Sequence, residues 1–283
     1  MKKYLNVRGN LLDISQPMVM GILNITPDSF YDGGKLTGDN AIAERAGQML
    51  DLGASIIDVG GQSTRPGAEL ISAGEEWERI KEPLSILHEK FPAAVISIDT
   101  FYSEVAEKAI AAGAGIINDI SGGSMDKQMF ETVARMKAPY ILTHMKGTPQ
   151  TMKQEANYEN VVTEVMDYFA EKIQKLTSLG VPDIIIDPGF GFGKTLEHNY
   201  ELLSRLNLFK IFERPILAGI SRKSMVNKVV GTKPEAALNG TTVLNTIALQ
   251  NGASILRVHD VKEAVEVLKI TTELSRYKLS RVL

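Results

Sequence analysis

Cysteine is missing altogether from this 283-residue sequence. Its absence excludes disulfides, thiolate zinc sites and cysteine nucleophiles together. Histidine is scarce, with 4 in the chain and no HExxH pairing. His144 and His259 lack carboxylate companions at metal-ligand spacing, so a histidine-rich metal centre is not expected. A basic surplus is lacking too. The 31 Lys and Arg stand against 34 Asp and Glu, a net charge of -3, which argues against a nucleic-acid partner. No apolar run approaches the roughly 20 residues of a membrane span. The opening MKKYLNVRGNLLDIS carries two lysines with no apolar stretch behind them, unlike a signal peptide. A bacterial-type cytoplasmic protein is therefore expected, with no membrane partner. No low-complexity segment or linker interrupts the chain, so residues 1–283 read as one domain.

What the chain does have is a repeated pattern. Eight times a short, β-branched-rich apolar run ends in a polar residue followed by a turn-forming one. The runs end at Asn24, Asp58, Asp99, Asn118, His144, Asp187, Ser221 and Arg257. Helix-period stretches separate them, near 39–52, 72–90, 102–112, 126–137, 157–179, 196–207, 234–251 and 260–278. The clearest is 157–179, with Val161, Val165, Phe169, Ile173 and Leu176 on one face, Asn157 as expected N-cap and Gly180 as its stop. Asp260 with Glu263 reads as a capping box for the last helix. Residues 3–14 read as a β-hairpin turning at Arg8-Gly9-Asn10. Strands alternating with helices imply right-handed βαβ units and a parallel sheet. The fold class is α/β, and eight units fit a closed (β/α)8 TIM barrel with a short N-terminal hairpin. An open doubly wound sheet would confine its chemistry to one switch point, whereas here nearly every strand ends in polar groups.

Several run ends carry chemistry. Asp99, Asn118 and Asp187 each follow apolar β-branched residues, where an unpartnered carboxylate is costly. Any one could cap a helix. Three at strand tips fit better as acceptors for a donor-rich heterocycle such as a 2-amino-pyrimidinone edge. VGGQSTRPG (59–67) offers Ser63, Thr64 and Arg65 as oxyanion donors, against the plainer reading of a solvated loop. Arg222 and Lys223 in ISRKS, and Arg257 and His259 in RVHD, lie past strands 7 and 8, where barrels commonly bind phosphate. DPGFGFGKT (187–195) contains a misleading GKT ending. Pro188 stands where a Walker A loop needs glycine, and Phe190 and Phe192 fit a wall for a flat ring. Asn24 alone reads as a turn residue, opening a loop with Pro27, Gly33 and Gly34 that could act as a lid.

Taken together, NITPDSFYDGG, DVGGQSTRPGA, SIDT, INDISGG, DPGFGFGK, SRKS and RVHD resemble the dihydropteroate synthases of the folate pathway. The stretches occur in that family's order and run from residue 21 to 260. The resemblance implies a pterin-binding (β/α)8 barrel, usually a homodimer. It implies a Mg2+-assisted transfer that joins 4-aminobenzoate to a dihydropterin-methyl diphosphate, releasing diphosphate and 7,8-dihydropteroate, with sulfonamides competing for the arylamine site. By resemblance, Asp99, Asn118, Asp187 and Lys223 contact the pterin, with Met145 and Phe192 near its ring. Asn24 matches the metal ligand. Thr64, Arg65, Arg257 and His259 match diphosphate contacts. Phe30, Pro66, Phe190 and Ser224 match the arylamine pocket. The catalytic set implied is Asp99, Asp187, Lys223 and Arg257. No residue spacing names the arylamine, and Asp58 and His144 are left without a role. Two rivals share parts of the pattern. A methyltetrahydrofolate:corrinoid methyltransferase would use the Asp/Asn pterin contacts but not the diphosphate groups. A non-catalytic homologue would bind the pterin diphosphate without turnover.

Overall fold

The N-terminal hairpin pairs β1 (Tyr4–Val7) with β2 (Asn10–Asp13), Val7 opposite Asn10. Arg8 (φ 53) and Gly9 (φ 85) both take left-handed backbone, as a two-residue hairpin turn of the primed type requires. Asn10, expected in the turn, is instead the first residue of β2. These assignments come from a computed structural model that describes residues 3–25, 38–63, 67 and 69–279.

Eight parallel strands follow: β3 (Met18–Asn24), β4 (Ile56–Gly60), β5 (Val95–Asp99), β6 (Ile116–Asp119), β7 (Tyr140–Thr143), β8 (Ile184–Asp187), β9 (Leu217–Ala218) and β10 (Ile255–Val258). From β3 to β8 each pairs with the next in sequence, β9 pairs with β10, and β10 pairs with β3. A parallel bridge from Ile186 to Ile216 spans the gap between β8 and β9, so the sheet closes into a barrel. The helices around it are α1 (Gly38–Asp51), α2 (Ala73–Lys90), α3 (Ser103–Ala111), α4 (Met129–Met136), α5 (Val161–Ser178), α6 (Leu196–Ser204), α7 (Ser224–Val230), α8 (Leu238–Gln250) and α9 (Val261–Leu279). None of the described helices is long and apolar enough to cross a membrane.

Some helix boundaries differ from expectation, for local reasons. α5 starts four residues late because Asn160, not Asn157, caps it, accepting from the Thr163 N–H at 2.9 Å. Gly180 (φ 81) does end it, with Val181 N–H bonded to the Leu176 carbonyl and Gly180 N–H to that of Thr177, a Schellman closure. α4 starts at Met129 because the Asp126 carboxylate takes the N–H groups of Ser103 and Gln128 and holds a turn there. The stretch read as one helix from 234 is a single 3-10 turn, Pro234–Ala236, followed by α8. The seven-residue α7 went unforeseen; its stop is Gly231 in left-handed backbone.

Side chains alternate across each strand, so odd and even positions part ways. Val59, Ile98, Ile117, Leu142, Ile186, Ala218 and Leu256 face the helices and join the larger core. The other parity fills the barrel. One-residue staggers between neighbouring strands place inward residues from alternate strands in layers of four. Ile56, Ile116, Ile185 and Ile255, all fully buried, form a low layer. Met20, Ser97, Ile141 and Leu217 lie above it, likewise fully buried. Asp58, Asn118, Asp187 and Arg257 come next, and Asp99 one step higher. The interior thus changes from aliphatic to ionic within one layer.

The hairpin seals the aliphatic end. Leu5, Val7 and Ile14 pack into the same cluster as the low barrel layers. The Asn6 N–H bonds to Asp183 Oδ2 at 2.9 Å, just before β8, and Arg8 bonds to the Gly113 carbonyl at 2.9 Å, just before β6. Leu5→Ala is expected to cost about 3 kcal/mol, because a large buried side chain is removed from a packed plug. Urea unfolding checks the loss. Activity of the variant below its transition should stay near normal, since the polar layer is at the other end.

Candidate active site

The ionic layer is organised by one guanidinium. Arg257 Nε donates to Asp58 Oδ2 at 2.6 Å, and Nη2 donates to Asp99 Oδ2 at 2.6 Å. Asp58 Oδ2 also accepts from Asn118 Nδ2 at 3.0 Å. Three strand tips are thereby tied to a fourth. Asp58, Asp99 and Asn118 are all buried. Burial pushes the Asp99 carboxyl up, to about 7; Arg257 pulls it back and Asp58 pushes it further. Arg257 is raised despite burial, because Asp58 and Asp99 both face it. The neighbour of Asn118 shows how strictly parity sorts these groups. Asp119 points outward and takes Tyr140 Oη at 2.7 Å, both Ser121 donors at 2.7 Å and the Gly123 N–H at 2.8 Å.

Across the mouth, Asp187 Oδ1 accepts from the Gly189 N–H at 2.8 Å. Burial raises this carboxyl, against the pull of Lys223. Lys223 Nζ donates to the Phe190 carbonyl and lies 4.5 Å from the Phe192 ring centre. Burial draws the Lys223 amine down to about 8, opposed by Asp187 and assisted by Arg257. Phe190 itself is fully buried in the outer core, while Phe192 keeps part of its surface open. Met145 is buried just past β7, and Ser224 is exposed at the first position of α7.

The ISRKS pair separates. Arg222, at φ 57, turns away and clasps Asp260 through two bonds, Nε at 2.9 Å and Nη2 at 2.6 Å, leaving Lys223 to enter the site. Asp260, expected to cap α9, carries this bidentate contact. His259 Nδ1 lies 3.0 Å from Ser221 Oγ, which also accepts the His259 N–H at 3.2 Å. Asn24 is exposed at the tip of β3. Phe30, Thr64, Arg65 and Pro66 lie outside the described residues.

A barrel mouth with buried acceptors on several strands beside two cations can grip a flat, donor-rich ring. A family model described as "Pterin binding enzyme" matches residues 20–259. The dihydropteroate synthase of Escherichia coli strain K12 is 44% identical over 265 residues, 93% of each chain. The chain belongs to the dihydropteroate synthases, a family of pterin-binding enzymes. Among solved structures, the dihydropteroate synthase of Xanthomonas albilineans with 4-aminobenzoic acid superposes with a TM-score of 0.90 at 36% identity, covering 97% of this chain and 99% of that one. The same organism's enzyme in complex with 7,8-dihydropteroate gives a TM-score of 0.86 at 35% identity, over 96% and 98%.

A dihydropteroate synthase of this family was expected to use Mg2+. Among the described residues, no group of three or more His, Cys, Asp or Glu stands together as a metal cluster. Asn24 offers one neutral amide oxygen at the mouth. An amide oxygen of this kind is a donor that a hard cation would accept.

Four residues without an assigned role prove central to this dihydropteroate synthase scaffold. Asp58 holds Arg257, and His144 meets Lys194 at 2.8 Å. Parity counted from Ile56 would have placed Asp58 inward. The fourth, Glu76 of α2, is fully buried beside the β5 tip, with Oε2 accepting from Thr100 Oγ1 at 2.6 Å. Burial pushes the Glu76 carboxyl up to about 8, Thr100 lowering it and Asp99 raising it. Its folded value thus exceeds its unfolded one, so the folded chain holds the proton longer. Between pH 4.5 and about 8 this group lowers stability as pH rises, by at most about 1.4 kcal/mol per unit. Glu76→Gln should flatten that slope and be the more stable protein at pH 8. Urea midpoints at pH 5.5 and 8 that move in parallel for both proteins would contradict this.

Proposed function

We propose that this chain condenses a dihydropterin-methyl diphosphate with 4-aminobenzoate, giving 7,8-dihydropteroate and diphosphate. The observation that carries the reading is the ionic layer: Asp58, Asn118, Asp187 and Arg257 in one plane, with Asp99 above and Lys223 at the side. Its carboxylates and the Asn118 amide oxygen are acceptors for the N–H groups of a pterin edge. The relatives that share the fold include structures holding 4-aminobenzoic acid and 7,8-dihydropteroate.

In this reading the C–O bond between the pterin methylene and the diphosphate breaks, and the arylamine nitrogen bonds to that carbon and loses a proton. Asp187, Asp99 and Asn118 hold the pterin edge, and the carboxylates stabilise positive charge that grows on the ring. Lys223 lies over Phe192 and bounds the ring's other side. Arg257, with Thr64, Arg65 and His259, receives the departing diphosphate. Mg2+, when bound at Asn24 and the diphosphate, supplies further charge neutralisation. Phe30, Pro66 and Ser224 shape the arylamine pocket, where sulfonamides compete, and Phe190, fully buried, supports it from the core. No protein nucleophile takes part. We read residues 1–283 as one domain, acting in the cytoplasm as a homodimer, on the strength of the family resemblance.

The direct test mixes protein, pterin diphosphate, Mg2+ and 4-aminobenzoate and follows diphosphate release. Release that depends on the arylamine is expected. Its absence, or methyl transfer to a corrinoid instead, overturns the reading. Asp187→Ala should lower kcat/KM by about 30-fold, roughly 2 kcal/mol of charged hydrogen bonding. A variant with normal kcat/KM would remove Asp187 from the pterin edge.

A further inference from the structure

The segment after β8 is built around a lysine to which the proposed reaction assigns no step. Lys194 Nζ lies 2.8 Å from His144 Nδ1, 3.2 Å from the His144 carbonyl, 3.0 Å from that of Gly189 and 3.0 Å from that of Phe192. An ammonium has three hydrogens for these four neighbours. A neutral amine has two, and its lone pair can take an Nδ1–H from His144. In either state nothing is left over for a substrate. Burial lowers both Lys194 and His144 from their ordinary ranges, though the Lys194 side chain keeps part of its surface open. The GKT ending therefore works opposite to a phosphate loop. There, N–H groups converge on an anion; here, carbonyls converge on a nitrogen.

Asn199 Oδ1 takes the Gly191 N–H of the same segment at 2.7 Å, and the glycines shape the backbone around it. Gly189 (φ 70), Gly191 (φ 83) and Gly193 (φ 60) are all left-handed. A Cβ on Gly189 would lie 1.9 Å from the His144 carbonyl oxygen, and one on Gly193 2.5 Å from that of Lys146. The loop thus lies backbone to backbone on the exit of β7. We propose that Lys194 is a positioning residue of the pterin site, pinning the Gly189–Phe192 segment to the end of β7. Gly189, held through its carbonyl, directs its N–H to Asp187 Oδ1. Phe192, held likewise, keeps its ring beneath Lys223, whose amine donates to the Phe190 carbonyl of the same segment. One nitrogen thereby sets a carboxylate, a ring and a second amine.

This assignment rests on the pterin reading of the site. The test compares wild type with Lys194→Met and Lys194→Ala by steady-state kinetics in each substrate and by calorimetry with pterin diphosphate alone. Lys194→Met fills the space but offers no hydrogen. It should raise KM and Kd for the pterin by about ten- to a hundredfold, well beyond any rise in KM for 4-aminobenzoate. Lys194→Ala should lose as much and regain most of it with n-propylammonium, which replaces the missing atoms; Lys194→Met should not respond. If Lys194→Ala does not fold, the calorimetric Kd of Lys194→Met decides. Wild-type pterin affinity in Lys194→Met, even with a lowered melting temperature, makes Lys194 a space-filler and overturns the proposal. If wild type itself neither binds the pterin nor releases diphosphate, the function reading fails instead.

Discussion

Burying a guanidinium between two carboxylates is the constraint on which the barrel mouth depends. Arg257 would be costly in a closed interior without Asp58 and Asp99, and each carboxylate would be as costly without Arg257. Such a group confers little net stability over a well-packed aliphatic layer. What it secures is geometry. Three strands must hold their heights for two bonds of 2.6 Å to form at once, so the register of β4, β5 and β10 is also the register of the site. Asn118 joins through the oxygen of Asp58 that Arg257 already uses.

The layers below make that arrangement tolerable. Four isoleucines and the row above them, fully buried, give the ions a rigid floor, and the hairpin closes the barrel beneath. Stability and chemistry are thus divided along the barrel axis. The loop after β8 supplies the remaining wall, and its alternating glycines let two backbones lie against each other where side chains would collide.

Much of this was legible in the chain. The eight run ends became eight strand tips, and Asp99, Asn118, Asp187, Lys223 and Arg257 do converge on one mouth. Polar residues after β-branched runs reveal where strands finish. They do not reveal which of two adjacent polar residues turns inward. Asn118 and Asp119 are separated by parity alone, and Arg222 and Lys223 by a left-handed residue that composition does not announce. Asp58 was within reach, two positions beyond Ile56 in a strand already recognised. Lys194 was not. Its side-chain partner, His144, lies at the end of a strand fifty residues earlier, and the local GKT signal points to the wrong chemistry. The short helix α7 and the late starts of α4 and α5 depend on single caps and turns that periodicity averages away.

The sealed floor has an electrical consequence. Counter-ions screen charges only where they can approach, within about 8 to 10 Å of solution at ordinary salt. Below the ionic layer lie fully buried side chains, all apolar except Ser97. The dipoles set up by Asp58, Asp99 and Arg257 are therefore insulated from beneath and open only toward the mouth. A ring that settles on that layer displaces the last water above it and closes the insulation. The field it then experiences belongs to the protein and not to the medium, and ionic strength governs the approach of a charged substrate far more than its final seating.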